Sequence, residues 1–182
     1  MSAASTSRPR RDPFLEEAVL VIDSREQRPY AFGPEVQVQR KALPVGDYSV
    51  VGLEARAVVE RKALGDLFGV IGHDRERFER ELEKLGKLDF AALVVEGSFA
   101  DLQAGPRTWV AGHQPMSASS ILGTLAAWSV RYRIGVWLAG SWVGGREITY
   151  RLLRHAWRYL GPGRHSCAAG APGKAGKPEP GT

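Results

Sequence analysis

The chain carries a single cysteine among its 182 residues, and that one, Cys167, lies in a stretch rich in Gly, Ala and Pro. One thiol closes no intrachain disulfide and builds no cysteine zinc cage. A disulfide scaffold is therefore excluded, and a reducing, cytoplasmic compartment is expected. No run of about 18 apolar residues occurs, which excludes a spanning helix and predicts no membrane partner. The N-terminus, MSAASTSRPRRDP, has no apolar stretch after its arginines, so no secretory signal is read there. His73 and His113 stand alone, with no ligand partners at metal spacing. Acid is nearly absent from residues 106–160, which hold seven arginines and only Glu147 against them.

What remains is ordinary for a globular protein: 43% apolar and 25% charged residues. The net charge of +5 is unevenly spread. Residues 14–105 have 12 basic and 17 acidic side chains, a balance of −5, against +6 for residues 106–160. Such a split fits a metal-binding region beside an anion-binding surface, and it also fits plain uneven surface charge.

Residues 1–13 and 161–182 lack hydrophobic periodicity and are rich in small and breaker residues, so both are expected to be disordered tails around one domain, 14–160. Within it, 18-AVLVID-23 and 90-FAALVVEG-97 predict buried strands, and 36-VQVQRKAL-43 alternates with period two. Tyr48–Val51 and Arg56–Arg61 predict a hairpin around Gly52. Helical spacing links Leu64, Leu67, Phe68 and Ile71, then Phe78, Leu82 and Leu85, then Ile121, Leu125 and Trp128 after 117-SASS-120. Ile134–Leu138 predicts a last strand. In the final helix Ile148, Leu152, Ala156 and Leu160 share one face and Arg151, Arg154 and Arg158 the other. Trp128, Trp137 and Trp157 fall on apolar patterns, and Trp142, between Gly140 and Gly144, is the tryptophan expected to be exposed. The order predicts an α/β sandwich with a mixed sheet.

The stretch 57-AVVERKALGD-66 is the unusual one. It puts Glu60, Arg61 and Lys62 at the end of a buried strand. Alternation sends Glu60 and Lys62 to one face and Arg61 to the other. Asp47 follows Gly46 at the start of the neighbouring strand, so a hairpin brings Asp47 and Glu60 together. Two carboxylates with a carbonyl and waters suit Mg²⁺ or Mn²⁺. Lys62 beside them is able to position water or to stabilise charge on a phosphate. The bland alternative is a charged strand end that guards against aggregation.

The pieces 21-VIDSRE-26, 46-GDY-48, 60-ERKALGD-66 and 75-RERFEREL-82 together resemble the nuclease domain of the XPF-type structure-specific endonucleases, in order and in spacing. The resemblance covers Val21 to Gly97. It implies a restriction-endonuclease-like three-layer core, with a central mixed sheet flanked by helices. It also implies divalent-metal cleavage of DNA to a 5′-phosphate and a 3′-hydroxyl, without a small-molecule cofactor. Carried over residue by residue, Asp47, Glu60, Arg61, Lys62 and Asp66 form the catalytic set, with Asp23, Asp47 and Glu60 toward the metal. No helicase segment is read before the motifs and no helix-hairpin-helix after them. A short stand-alone form of the bacterial or phage kind is therefore expected, acting on branched, flapped or nicked DNA. The alternative is a catalytically silent DNA-binding or partner subunit.

Individual residues keep two readings. Asp23 is a metal-site carboxylate or an Asx-turn residue. Asp66 is a ligand, or it holds the following helix and pairs with Arg61. Arg25 contacts phosphate, and Glu26 supports the ligands from behind. Arg75, Arg77 and Arg80 form a solvated face or reach DNA. Arg151, Arg154 and Arg158 are expected to track DNA beside a homodimer contact built from the aromatic-rich segment 121–160, whose aromatics otherwise fill the core.

Overall fold

The structure, a computed structural model, describes residues 12–105 and 116–161. The tails apart from Asp12, Pro13 and Gly161, together with His113 and Cys167, lie outside the described residues.

Runs of Val, Ile, Leu and Ala form the centre of a six-stranded sheet, as β-branched side chains favour. The strands are β1 (Val19–Ile22), β2 (Gln37–Arg40), β3 (Tyr48–Val50), β4 (Ala57–Ala63), β5 (Phe90–Glu96) and β6 (Gly135–Leu138). Their spatial order is β2-β1-β3-β4-β5-β6. β3 is antiparallel to both its neighbours, β1 and β4, and the remaining pairs are parallel. The sheet is therefore mixed, and the C-terminal ends of β1, β4 and β5 lie at one end with the start of β3.

Alternation along β4 divides the core. Val58 packs with α2 (Leu64–Gly72), α3 (Arg75–Leu85) and α5 (Ala118–Tyr132) through Leu67, Phe78, Leu82 and Trp128. Ala57 and Val59 pack on the other face with α1 (Pro13–Glu17) and α6 (Trp142–Leu160) through Phe14, Leu153 and Trp157. A short α4 (Phe99–Ala104) follows β5, started by a capping box between Ser98 and Asp101. The three layers expected from sequence are present, and among the described residues no helix is long and apolar enough to cross a membrane.

Several details differ from expectation. Asp12 caps α1, which begins at Pro13, so both residues join the described fold although the sequence places them in the N-terminal tail. The alternation of 36–43 buries nothing in β2, whose four residues are all exposed, because β2 is an edge strand reaching beyond the helices. The buried line of α6 is Gly145, Thr149, Leu153, Ala156 and Trp157, rotated from the expected stripe, while Ile148, Leu152 and Leu160 pack at its flank. The cause is Tyr30, whose ring fits against α6 only because residue 145 has no side chain: a Cβ there would stand 2.2 Å from the Tyr30 hydroxyl. Trp142 packs edge-on against Tyr30, and among the described residues Trp137, on edge strand β6, is the exposed tryptophan at 45%.

Candidate active site

The antiparallel pairing of β3 with β4 sets Tyr48 opposite Val59. The turn before β3 therefore lies against the charged end of β4. Gly46 makes this possible. Its φ is +72°, a value that disfavours side chains, and a Cβ would meet Val58 Cγ1 at 2.2 Å. The Asp47 amide donates to the Val59 carbonyl at 3.0 Å, and the Asp47 carbonyl accepts from the Asp23 amide at 2.8 Å. Three adjacent strand ends are thereby stitched together around one cleft of about 500 Å³. Asp23, Asp47, Glu60, Arg61, Lys62 and Asp66 line it, with Arg25, Glu26, Arg28, Glu81 and Lys84. The position outside the carboxyl ends of parallel strands is where open α/β sheets bind ligands.

Glu60 is buried at 8% exposure, and Lys62 Nζ lies 3.0 Å from its Oε1. The Lys62 ammonium also sits 4.4 Å above the Phe78 ring, which limits its freedom. Glu60 and Lys62 share one sheet face, as alternation predicts. Burial raises the Glu60 carboxyl; Lys62 opposes that rise, and the charges of Glu81 and Glu26 add to it. Asp47 is raised to about 8, first by burial and then by the charge of Glu60, against a hydrogen bond from the Arg61 amide. Two carboxylates that resist joint ionisation are a donor pair whose repulsion a divalent cation relieves, so Asp47 and Glu60 fit Mg²⁺ or Mn²⁺.

Asp23 is placed differently. Its Oδ1 accepts from the Arg25 amide at 2.7 Å and from Arg25 Nε at 2.9 Å. Its Oδ2 accepts from Arg25 at 2.8 Å and from the Leu43 amide at 2.7 Å. The Arg25 contacts above all hold the carboxyl down at about 2. With both oxygens committed, Asp23 acts as the clamp of its turn. Among the described residues no three His, Cys, Asp or Glu side chains form a metal-binding group.

Arg61 faces away from Lys62. Its guanidinium grips Glu96 at 2.6 and 2.9 Å and approaches Glu26 at 3.4 and 3.5 Å. It therefore does not pair with Asp66. Asp66 is exposed in the first turn of α2, where the helix dipole favours an acid.

The helix arginines are not brought into the cleft. Arg75 pairs with Glu79 and Arg77 with Asp74. Arg80 is exposed outside the lining. Arg151 pairs with Glu147, Arg154 with Asp12, and Arg158 is exposed; all three lie on α6, across the sheet from Glu60 and Lys62. Arg28, Glu81, Lys84 and Glu96 were missed by sequence reasoning. Glu81 and Lys84 had a usable signal, since they fall near Phe78 and Leu82 on a helix already aimed at the sheet.

A mixed sheet carrying this acid–lysine cleft defines an α/β fold with a charged site at its strand ends, and comparison with known proteins narrows the class. Residues 22–152, more than half of the chain, match the ERCC4 domain, so the chain belongs to the ERCC4-domain family. XPF from Aeropyrum pernix is similar in structure, with a TM-score of 0.57 and 24% identity over 78% of this chain and 66% of that one. XPF from Aeropyrum pernix in complex with DNA gives 0.57 and 23% over 77% and 65%. The chain thus spans just under two thirds of either structure, and the likeness shows the fold. No curated protein matches the chain.

Proposed function

We propose that the chain is a divalent-metal-dependent DNA endonuclease that hydrolyses phosphodiester bonds in branched, flapped or nicked DNA. The observation that carries the reading is the Asp47–Glu60 pair with Lys62 3.0 Å from Glu60 in a cleft at the strand ends. Buried carboxylates with raised pKa values beside a lysine are costly to keep and characteristic of sites with chemistry to do. Family membership and the DNA-bound structure of a similar fold support the same reading.

Asp47 and Glu60 are the residues that would hold the metal. Mg²⁺ or Mn²⁺ there would supply electrostatic stabilisation for the charge that develops on the phosphate. Lys62, fixed between Glu60 and the Phe78 ring, donates to a phosphate oxygen or orders the attacking water. The water oxygen bonds to phosphorus and the bond to O3′ breaks, leaving a 5′-phosphate and a 3′-hydroxyl. Arg28 and Lys84 give the acidic floor a cationic rim for the flanking phosphates. A homodimer through edge strand β6 and exposed Trp137 completes the reading.

The test is incubation of the pure protein with labelled flaps, forks, nicked duplexes and single strands, with Mg²⁺, with Mn²⁺ and with chelator. Metal-dependent cleavage of a branched or nicked substrate is expected. Binding to the panel without cleavage under either metal would instead identify a silent DNA-binding subunit.

A further inference from the structure

Glu96 ends β5 on the sheet face opposite Glu60 and Lys62, yet it is joined to the cleft through one side chain. Arg61 donates to Glu96 Oε1 from Nε at 2.6 Å and to Oε2 at 2.9 Å. The same guanidinium reaches Glu26, which lines the cleft, only at 3.4 and 3.5 Å. We propose that Glu96 is a positioning residue for the cleft: its two-point grip holds the Arg61 guanidinium away from Glu26 and so leaves the Glu26 carboxylate facing the substrate. The inference rests on the nuclease reading above.

Two glutamates compete for one arginine, and distance decides the outcome. Contacts of 2.6 and 2.9 Å are full charge-assisted bonds, whereas contacts near 3.5 Å lie at the limit of hydrogen bonding. The Glu26 carboxylate is thus held only at the limit of hydrogen bonding by Arg61, and it accepts from the Arg28 amide at 2.6 Å. It lines the same cleft as Asp47 and Glu60. The guanidinium has little freedom to change partner. Its side chain is 8% exposed and lies over the Tyr30 ring at 5.6 Å. From behind, α6 packs closely on this group: a Cβ at position 145 would stand 2.2 Å from the Tyr30 hydroxyl and in ordinary contact, at 3.4 Å, with Glu96 Cγ.

A purely structural role would make the Glu96–Arg61 pair a staple between β4 and β5. Those strands are already in register over seven residue pairs from Ala57–Phe90 to Ala63–Glu96, so the register does not depend on it.

The test is Glu96→Gln, which weakens the grip while Glu26 still neutralises Arg61. In a crystal structure of the variant, the Arg61–Glu26 contact is expected to contract to a full hydrogen bond. The cleavage rate at saturating DNA is expected to fall about 10–100-fold, the usual effect of losing a supporting partner, with KM little changed. Glu26→Gln combined with Glu96→Gln is expected to be no slower than Glu26→Gln alone, because both act through one carboxylate. An unchanged Arg61–Glu26 distance, or rate losses that multiply in the double variant, would overturn the proposal. If Glu96→Gln fails to fold, Glu96→Asp carries the same measurements, since it keeps the charge and loses the two-point reach. A wild-type protein that cuts nothing counts against the nuclease reading, while the crystallographic contraction still decides the role of Glu96.

Discussion

The backbone amide of Arg61 donates to Asp47 Oδ2 at 2.8 Å, while its side chain leaves for Glu96 on the far face of the sheet. One residue thus orients a cleft carboxylate through its main chain and ties the cleft to β5 through its side chain. Alternation makes both possible, because a residue between Glu60 and Lys62 must point away from them.

Asp47→Asn and Glu60→Gln are expected to abolish cleavage with the fold intact, since each keeps its shape and loses the charge that holds a cation. The Asp47 change is also expected to stabilise the metal-free protein at pH 8. The folded carboxyl is raised to about 8 from its ordinary 3.8, so the folded state binds the extra proton between those values. Stability from this group therefore falls as pH rises through that window. Thermal melts of both proteins at pH 5 and pH 8 without metal check it; a variant advantage that shrinks toward pH 8 would contradict the assignment.

Lys62→Ala is expected to lower the cleavage rate by roughly 10²–10⁴, the range for losing one catalytic donor or proton-transfer group, with little change in DNA affinity. Single-turnover rates and binding isotherms on one substrate separate the two. Equal losses in both would make Lys62 a phosphate contact only.

Asp23→Asn is expected to destabilise the fold by about 2 kcal/mol, since the charged acceptor is lost to both Arg25 and the Leu43 amide. The wild-type carboxyl is lowered to about 2 from 3.8, so its stabilising contribution is present above pH 3.8 and disappears as pH falls toward 2. Denaturant melts at pH 7 and at pH 2 show whether the gap between the two proteins closes in acid. Lost cleavage with unchanged stability would make Asp23 a metal ligand.

Much of this was legible in the sequence because it depends on local periodicity. The hairpin of Tyr48–Val50 with β4, the split of Glu60 and Lys62 from Arg61, and the buried faces of α2, α3 and α5 all follow from strand and helix repeats. What was not legible depends on which strands end up at the sheet edges and on long-range partners. The alternation of β2 looks like that of a half-buried strand until the topology leaves it at the margin, and Trp137 is exposed for the same reason on β6. Glu96 ends a buried run that resembles any other strand end, and only the parallel register with β4 brings it to Arg61. Asp23 has the sequence of a ligand, and its commitment to Leu43 appears only once β1 and the loop before β3 are side by side.

Arg28→Ala and Lys84→Ala are each expected to weaken DNA binding across all sequences and to reduce the slope of log K against log salt by about 1 per phosphate contact. Arg75→Ala and Arg154→Ala serve as comparisons, since these side chains are already paired with Glu79 and Asp12 and lie outside the cleft. Binding measured from 50 to 200 mM salt decides between the two groups. A larger change in slope for the comparison pair would move the DNA path to the helix surfaces.

Self-association is the last question, and a buried and an exposed tryptophan of the 121–160 segment separate its answers. Trp157 is 7% exposed and packs edge-on against Phe14, so a carboxylate there would sit uncompensated in the core. Trp157→Glu is expected to unfold the protein whatever its oligomeric state, and it says nothing about an interface. Trp137 lies on edge strand β6 at 45% exposure, where a charge costs the monomer little and would repel a second strand edge. If β6 forms the homodimer contact, sedimentation at micromolar concentration gives a dimer for the wild type and a folded monomer for Trp137→Glu. A wild type that sediments as a monomer near its 19.9 kDa mass removes the dimer, and a variant that stays dimeric moves the contact away from β6.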